Sequence, residues 1–287
     1  MKLRQSTGIL LASPWIATFL IFWFFPLLYS LFLSFTDYRL LKPSYEWIGF
    51  DNYIGLFSDP AFIDSIKNTF IFVIGTIPTT TIIALLLAIL IARNFTGRTL
   101  FRSAFFMPSI TSMVVIALIF ANLYSRGGYI YLLAKMLGII PPDNGFLLSN
   151  KTALLSVMAM DIWMSVGYYM LLFLAGLKSI PIELYEAADV AGAGPWRKFC
   201  SITLPLLKPV TLFIIVINTI KSFQIFIEIF VMTKGKYGTS TTVYFIYESG
   251  LSRFNFGYAS AAAYVLFVII AIFSFLQFKL MRQEKIG

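Results

Sequence analysis

Asn68 to Ala92 reads NTFIFVIGTIPTTTIIALLLAILIA, without one ionisable residue. A bilayer core about 30 Å thick is crossed by roughly 20 apolar helical residues, so this stretch has the length and composition of a transmembrane helix. Its apolar residues are continuous rather than alternating, which excludes the strand of a membrane β-barrel. Working outward, Gln5 to Thr36, Ser103 to Ser125 and Phe254 to Phe278 are likewise free of charge. Thr152 to Leu177 carries only Asp161, and Pro209 to Thr233 only Lys221 and Glu228. The whole chain agrees: of 287 residues 59% are hydrophobic and 12% charged, where a soluble domain has about 25% charged. The sequence therefore predicts an all-α integral membrane protein with six spans. Lys2 and Arg4 precede the first run, but it is longer than a signal-peptide core and no small-residue cleavage pattern follows, so an uncleaved helix is expected.

Six spans place both termini on one side. The segments on that side hold twelve Lys and Arg residues, Lys2, Arg4 and Lys285 among them, against nine opposite. The short stretch from Arg93 to Arg102 has three arginines and no acid, whereas Asp37 to Lys67 has five acids and three bases. The positive-inside rule then puts both termini in the cytoplasm of a multi-pass protein. The net charge of +9 is read as this topology signal and not as nucleic-acid binding. With no histidine and a single cysteine, Cys200, an intramolecular disulfide, a zinc site and a histidine-based catalytic triad are excluded; no metal ligand set or catalytic residue is assigned. No internal repeat is visible. The division expected is residues 1–67, the first helix with its external segment, and residues 68–287, a five-helix core.

Between the fourth and fifth spans, residues 178–208 form the most informative loop. Pro181 suits a first helical position, Glu183 the first turn, and Gly192 a left-handed stop. Gly194-Pro195 then opens a second helix, Trp196 to Ile202, which Leu204-Pro205 breaks. From the residues alone this helix-turn-helix is either an ordinary interfacial loop or a knob that docks into a partner's groove.

Glu186-Ala187-Ala188, three residues, Gly192, nine residues and Ile202-Thr203-Leu204-Pro205 resemble the EAA loop of bacterial ABC-importer permeases, the MetI-like family. Phe25-Pro26-Leu27-Leu28-Tyr29-Ser30 and Gly49-Phe50-Asp51-Asn52-Tyr53 resemble its carbohydrate branch, in the MalF-type subunit rather than the MalG-type one. The resemblance implies a MetI-like permease fold in a bacterial cytoplasmic membrane. It implies as partners a MalG-type permease, two copies of a cytoplasmic ABC ATPase, an extracytoplasmic solute-binding protein and a saccharide. Glu186, Ala187, Ala188, Asp189, Gly192, Ile202, Leu204 and Pro205 would couple to the ATPase. The chain has no phosphate loop: Gly192-Ala193-Gly194-Pro195-Trp196-Arg197-Lys198 has the wrong spacing, and proline lacks the N–H that the cradle needs. ATP and magnesium are thus expected on the ATPase subunits, with no cofactor in this chain and no enzymatic activity of its own. The glycine-rich turn usual after the fifth span reads Thr233-Lys234-Gly235-Lys236-Tyr237-Gly238 here, a departure in the outer gate region.

Ionisable residues inside a span usually mark a pathway or a pair. Lys221, Asp161 and Glu228 leave two readings open: an internal ion pair, or a lysine that meets substrate. By resemblance to the maltose-type relative, substrate contacts map onto Met164, Ser165 and Tyr168 in the fourth span and onto Asn218, Lys221, Ser222 and Ile225 in the fifth. A sugar or oligosaccharide is implied. A lysine among these groups suggests an acidic, uronate-containing one, with glycerol phosphate or another polyol phosphate as the alternative substrate.

Overall fold

The computed structural model describes residues 5–42 and 44–282; Lys2, Arg4 and Lys285 lie outside them. Those residues are overwhelmingly helical, and β-pairing among them is confined to isolated bridges. In chain order the helices are α1 (Leu10–Ser34), α2 (Asp51–Ser58), α3 (Pro60–Ala92), α4 (Arg98–Ile110), α5 (Met113–Tyr124), α6 (Tyr129–Met136), α7 (Ala153–Lys178), α8 (Ile182–Val190), α9 (Pro195–Lys198), α10 (Lys208–Phe223), α11 (Ile227–Met232), α12 (Thr242–Tyr247) and α13 (Phe256–Arg282). Five segments are long and apolar enough to cross a membrane: α1, α3, α7, Lys208–Met232 and Phe256–Lys279.

The expected third span, Ser103 to Ser125, is a correction: it is two helices, α4 and α5, meeting at a 97° bend. Pro108 removes one helical donor, Thr111 is extended, and the helix restarts behind Ser112, whose carbonyl accepts from the Ile116 amide at 3.1 Å. Proline together with a local serine and threonine supplies the physical cause of such a kink. Counting the bent pair as one span gives six.

The chain groups into two compact units, one of Met1–Ile63 with Phe245–Phe267, the other of Asp64–Tyr244 with Val268–Gly287. In the first unit, α1 ends at Ser34 because Asn52 takes over its last carbonyls. The buried Asn52 amide donates to the carbonyls of Ser34 and Thr36, both at 2.8 Å. This satisfies acceptors that a helix end leaves orphaned. Gly49, at φ +57°, makes the turn that brings Asn52 back.

In the second unit α7 is the central element, buried around most of its circumference. Its first half, Leu154 to Met164, packs with Phe72, Ile116, Ile225 and Ile229. Its second half, Tyr169 to Leu174, packs with Ala84, Ala88, Leu207 and Ile214. Close approach of α4 to α7 runs through Gly167, where any Cβ would overlap the Phe105 carbonyl. Small residues serve this purpose in membrane helices, since packing rather than water exclusion holds them together.

Candidate functional site

Lys208–Met232 is interrupted, not continuous. Helix α10 stops at Phe223, Gln224 to Phe226 leave helical geometry, and α11 begins at Ile227. The break is paired internally: the Gln224 amide donates to the Lys221 carbonyl at 3.1 Å, and the Thr241 hydroxyl donates to the Ile225 carbonyl at 3.1 Å. Irregular backbone at membrane depth is tolerated where protein buries it or where it lines a cavity. Here it does line one. A cavity of about 550 Å³ is walled by Lys221, Ser222, Gln224, Ile225, Phe226 and Glu228 from this region, by Asp161 of α7, and by Phe72 and Met113.

Lys221 projects toward α7. Its ammonium donates to Asp161 Oδ1 at 3.1 Å and to Ser165 Oγ at 2.6 Å, and Ser165 Oγ donates to the same carboxylate oxygen at 3.4 Å. The Asp161 side chain is 4% exposed and that of Lys221 43%. The sequence left open whether Lys221 pairs internally, and the structure pairs it with Asp161. The acid sits buried in the wall, and the lysine stem reaches to it from α10 while staying partly exposed. Glu228 is also buried and lines the same cavity; among the described residues no ion pair joins it to Lys221.

The seven residues mapped by resemblance do not all come together. Lys221, Ser222 and Ile225 face the cavity, and Ser165 joins it through the Lys221 ammonium. Met164 is buried in the apolar cluster around α7. Asn218 is buried, with its Oδ1 accepting from Ser222 Oγ at 3.3 Å. Tyr168 stays half exposed, edge-on to Tyr169. Gln224 and Phe226 were missed because no glycine or proline marks the break that exposes them.

The loop at residues 178–208 has the expected form with shifted bounds. Helix α8 starts at Ile182, so Pro181 is its N-cap and not its first helical residue. Gly192 takes the left-handed conformation, φ +73°, as its role as a stop requires. The expected break at Leu204-Pro205 is a correction. Helix α9 runs into a wide turn over Phe199–Thr203, where the Leu204 amide reaches back five residues to the Phe199 carbonyl. That shift of register lets Pro205 follow within helical geometry, and the chain turns only at Leu207.

The two arms of the loop are tied by Tyr185 to Thr203, hydroxyl to hydroxyl at 2.8 Å, and by an ion pair of Lys198 with Asp189. Nothing in α8 is buried: Glu186, Ala187 and Asp189 face outward, Ala188 is half covered, and Val190 is 92% exposed. Ile202 is half covered and Leu204 and Pro205 are exposed. The turn at residues 233–239 departs from a glycine-only pattern: Lys234 and Tyr237 share the left-handed region with Gly235 and Gly238.

Long apolar helices, one of them interrupted beside a cavity whose apolar wall carries a few polar groups, and an unburied helical knob outside the spans form the frame of a membrane transport permease. The chain belongs to the family of binding-protein-dependent transport system inner membrane components, which matches residues 54–283. It is 36% identical over 280 residues to the probable ABC transporter permease protein YesP of Bacillus subtilis, covering 95% of this chain and 89% of that one. It is 33% identical to the lactose transport system permease protein LacF of Rhizobium radiobacter, covering 97% and 95%. Among solved structures, a bacterial ABC transporter involved in the import of the acidic polysaccharide alginate superposes with a TM-score of 0.85 at 25% identity, covering 98% of both chains. The alginate transporter in complex with its alginate pentasaccharide-bound periplasmic protein gives 0.84 at 25% identity, covering 96% and 94%.

Proposed function

We propose that the chain is one of two membrane-spanning subunits of an ATP-driven importer for a sugar or oligosaccharide. The saccharide is handed over by an extracytoplasmic solute-binding protein, and both termini of the chain are cytoplasmic. ATP, with magnesium, is hydrolysed on two copies of a separate ATPase that dock on α8 and the Gly192 turn. The permease names and importers that the chain resembles support the saccharide class. The observation that carries the reading is the interrupted helix at the cavity. It sets an amide, a hydroxyl and two ionisable side chains opposite Asp161 of α7 in an otherwise apolar wall, the mixture with which ligand sites fix orientation.

A neutral saccharide fits this cavity better than an anionic one. Asp161 and Ser165 already take up the Lys221 ammonium, and Glu228 adds a second acid, so no unpaired cation awaits a uronate or a phosphate. The likeness to the alginate importer favours the second reading, an acidic oligosaccharide. Uptake by the whole transporter in proteoliposomes, with loaded binding protein, separates the two. Under the neutral reading Lys221→Met lowers uptake of neutral and uronate oligosaccharides alike. A loss at least tenfold greater for the uronate would establish the acidic reading.

A further inference from the structure

Helix α4 carries a second feature, on the face turned to α3 and α7. Phe101, Ala104, Phe105 and Pro108, spaced as one helical face, form one wall of an apolar groove of about 520 Å³. Ile83 and Leu87 of α3 and Trp163 of α7 complete it, with Phe101 and Trp163 each about half exposed. No polar side chain other than the Trp163 indole lines it.

The face continues beyond the groove into cations. Arg98 lies one turn before Phe101, and Arg102, one turn after Arg98 (i, i+4), lies one turn before Phe105, so the two arginines flank the N-terminal end of the stripe without lining the groove itself. Arg98 also borders a polar pocket of about 550 Å³ formed by residues 94–99. Its guanidinium donates to Asn94 Oδ1 at 2.8 Å. Among the described residues no ion pair reaches Arg93, Arg98 or Arg102. One helix thus presents unneutralised guanidinium groups, then a purely apolar trough. The groove runs between α3 and α7, both long and apolar enough to cross a membrane, so the trough lies within the membrane-spanning part of the chain.

We propose that the groove binds one anionic phospholipid of the surrounding bilayer, its phosphate on Arg98 and Arg102 and an acyl chain between α3, α4 and α7. Charge complementarity selects the headgroup, because basic pockets between membrane helices attract anionic lipids. The position of the groove between two membrane-spanning helices selects a lipid over a soluble ligand. A lipid held here would brace the α4–α5 bend, whose first arm forms the groove wall.

The test uses the assembled transporter in nanodiscs and spin-labelled phosphatidylglycerol or phosphatidylcholine, reading the immobilised fraction of each probe. The wild type is expected to retain phosphatidylglycerol at least fivefold over phosphatidylcholine. Arg98→Gln with Arg102→Gln should bring that ratio near one. Ala104→Trp, which fills the trough and leaves both arginines, should lower phosphatidylglycerol retention severalfold. Parity of the two lipids in the wild type overturns the site, as does a preference that survives both variants. A preference found in the isolated chain but absent from the assembled transporter also overturns it, and assigns the groove to a partner subunit.

Discussion

Lys221 and Asp161 show how one pair can decide a reading. Removing one member of a buried pair leaves an uncompensated charge and costs about 3–5 kcal/mol. Here Lys221 is 43% exposed, so the loss for Lys221→Met should be smaller, about 1–3 kcal/mol. Lys221→Met with Asp161→Asn should recover most of it. Thermal unfolding of the detergent-solubilised chain checks both, and a double variant no more stable than Lys221→Met would contradict the pairing. Asp37, in the segment that follows α1, makes a second case. The Glu46 amide donates to its carboxylate at 2.6 Å and the Lys42 ammonium pairs with it, holding its pKa below the ordinary carboxyl value. A depressed native pKa gives stability that is complete above the ordinary value, about 4, and is lost as the pH falls through the lower native value. Protection of the amides over residues 37–47, taken relative to the unstructured rate at each pH, should therefore fall on acidification through that window. Asp37→Asn should show fast exchange already at neutral pH.

Among the elements, the contact of α4 with α7 is the most exacting. The backbone of α4 passes so close to Gly167 that a methyl group must push the helices apart, and overpacking of this kind costs about 1–3 kcal/mol. Gly167→Ala should lower the unfolding temperature and increase proteolysis at the α4–α5 bend. Gly75, whose neighbour is the flexible end of Met158, should accept alanine at smaller cost. The two variants side by side distinguish rigid from yielding neighbours. The segment that follows α1 was legible at this scale. Gly49-Phe50-Asp51-Asn52-Tyr53 could be singled out in the sequence, and its physical basis is the Asn52 amide closing the end of α1. The α4–α5 bend was half legible, since Pro108 and Ser112 lie inside the apolar run. The break at Gln224–Phe226 was not, because neither glycine nor proline marks it.

For the molecule as a whole, the proposed coupling role of α8 is the reading most open to test. An exposed α8 followed by a left-handed glycine suits a knob held rigid by Tyr185–Thr203 and Asp189–Lys198 and presented to a partner. Glu186→Lys, or Gly192→Val, should leave the chain inserted and weaken its hold on the ATPase. A left-handed non-glycine residue alone is strained by about 1–2 kcal/mol. Substrate-stimulated ATP hydrolysis by the assembled transporter should fall at least fivefold; hydrolysis at the wild-type rate would refute the docking role.

What the sequence by itself determined is whatever follows from local length, composition and spacing. The charge-free runs define the apolar segments, Gly192 the turn of the knob, and the residues from Glu186 to Pro205 carry the resemblance to the family. These signals act over a few helical turns, so they can be read without knowing what packs against them. The tertiary structure decided the rest. The 97° angle between the two halves of one run is a tertiary quantity that Pro108 and Ser112 permit but do not fix. The partner of Lys221 lies sixty residues away on another helix, and Asn52 closes α1 from a turn away in space. Whether Met164 and Asn218 belong to the apolar interior or to the cavity depends on the rotation of α7 and α10. A helix that is apolar nearly all the way round has no polar stripe to say which side faces inward, so only packing against neighbouring helices can set that rotation.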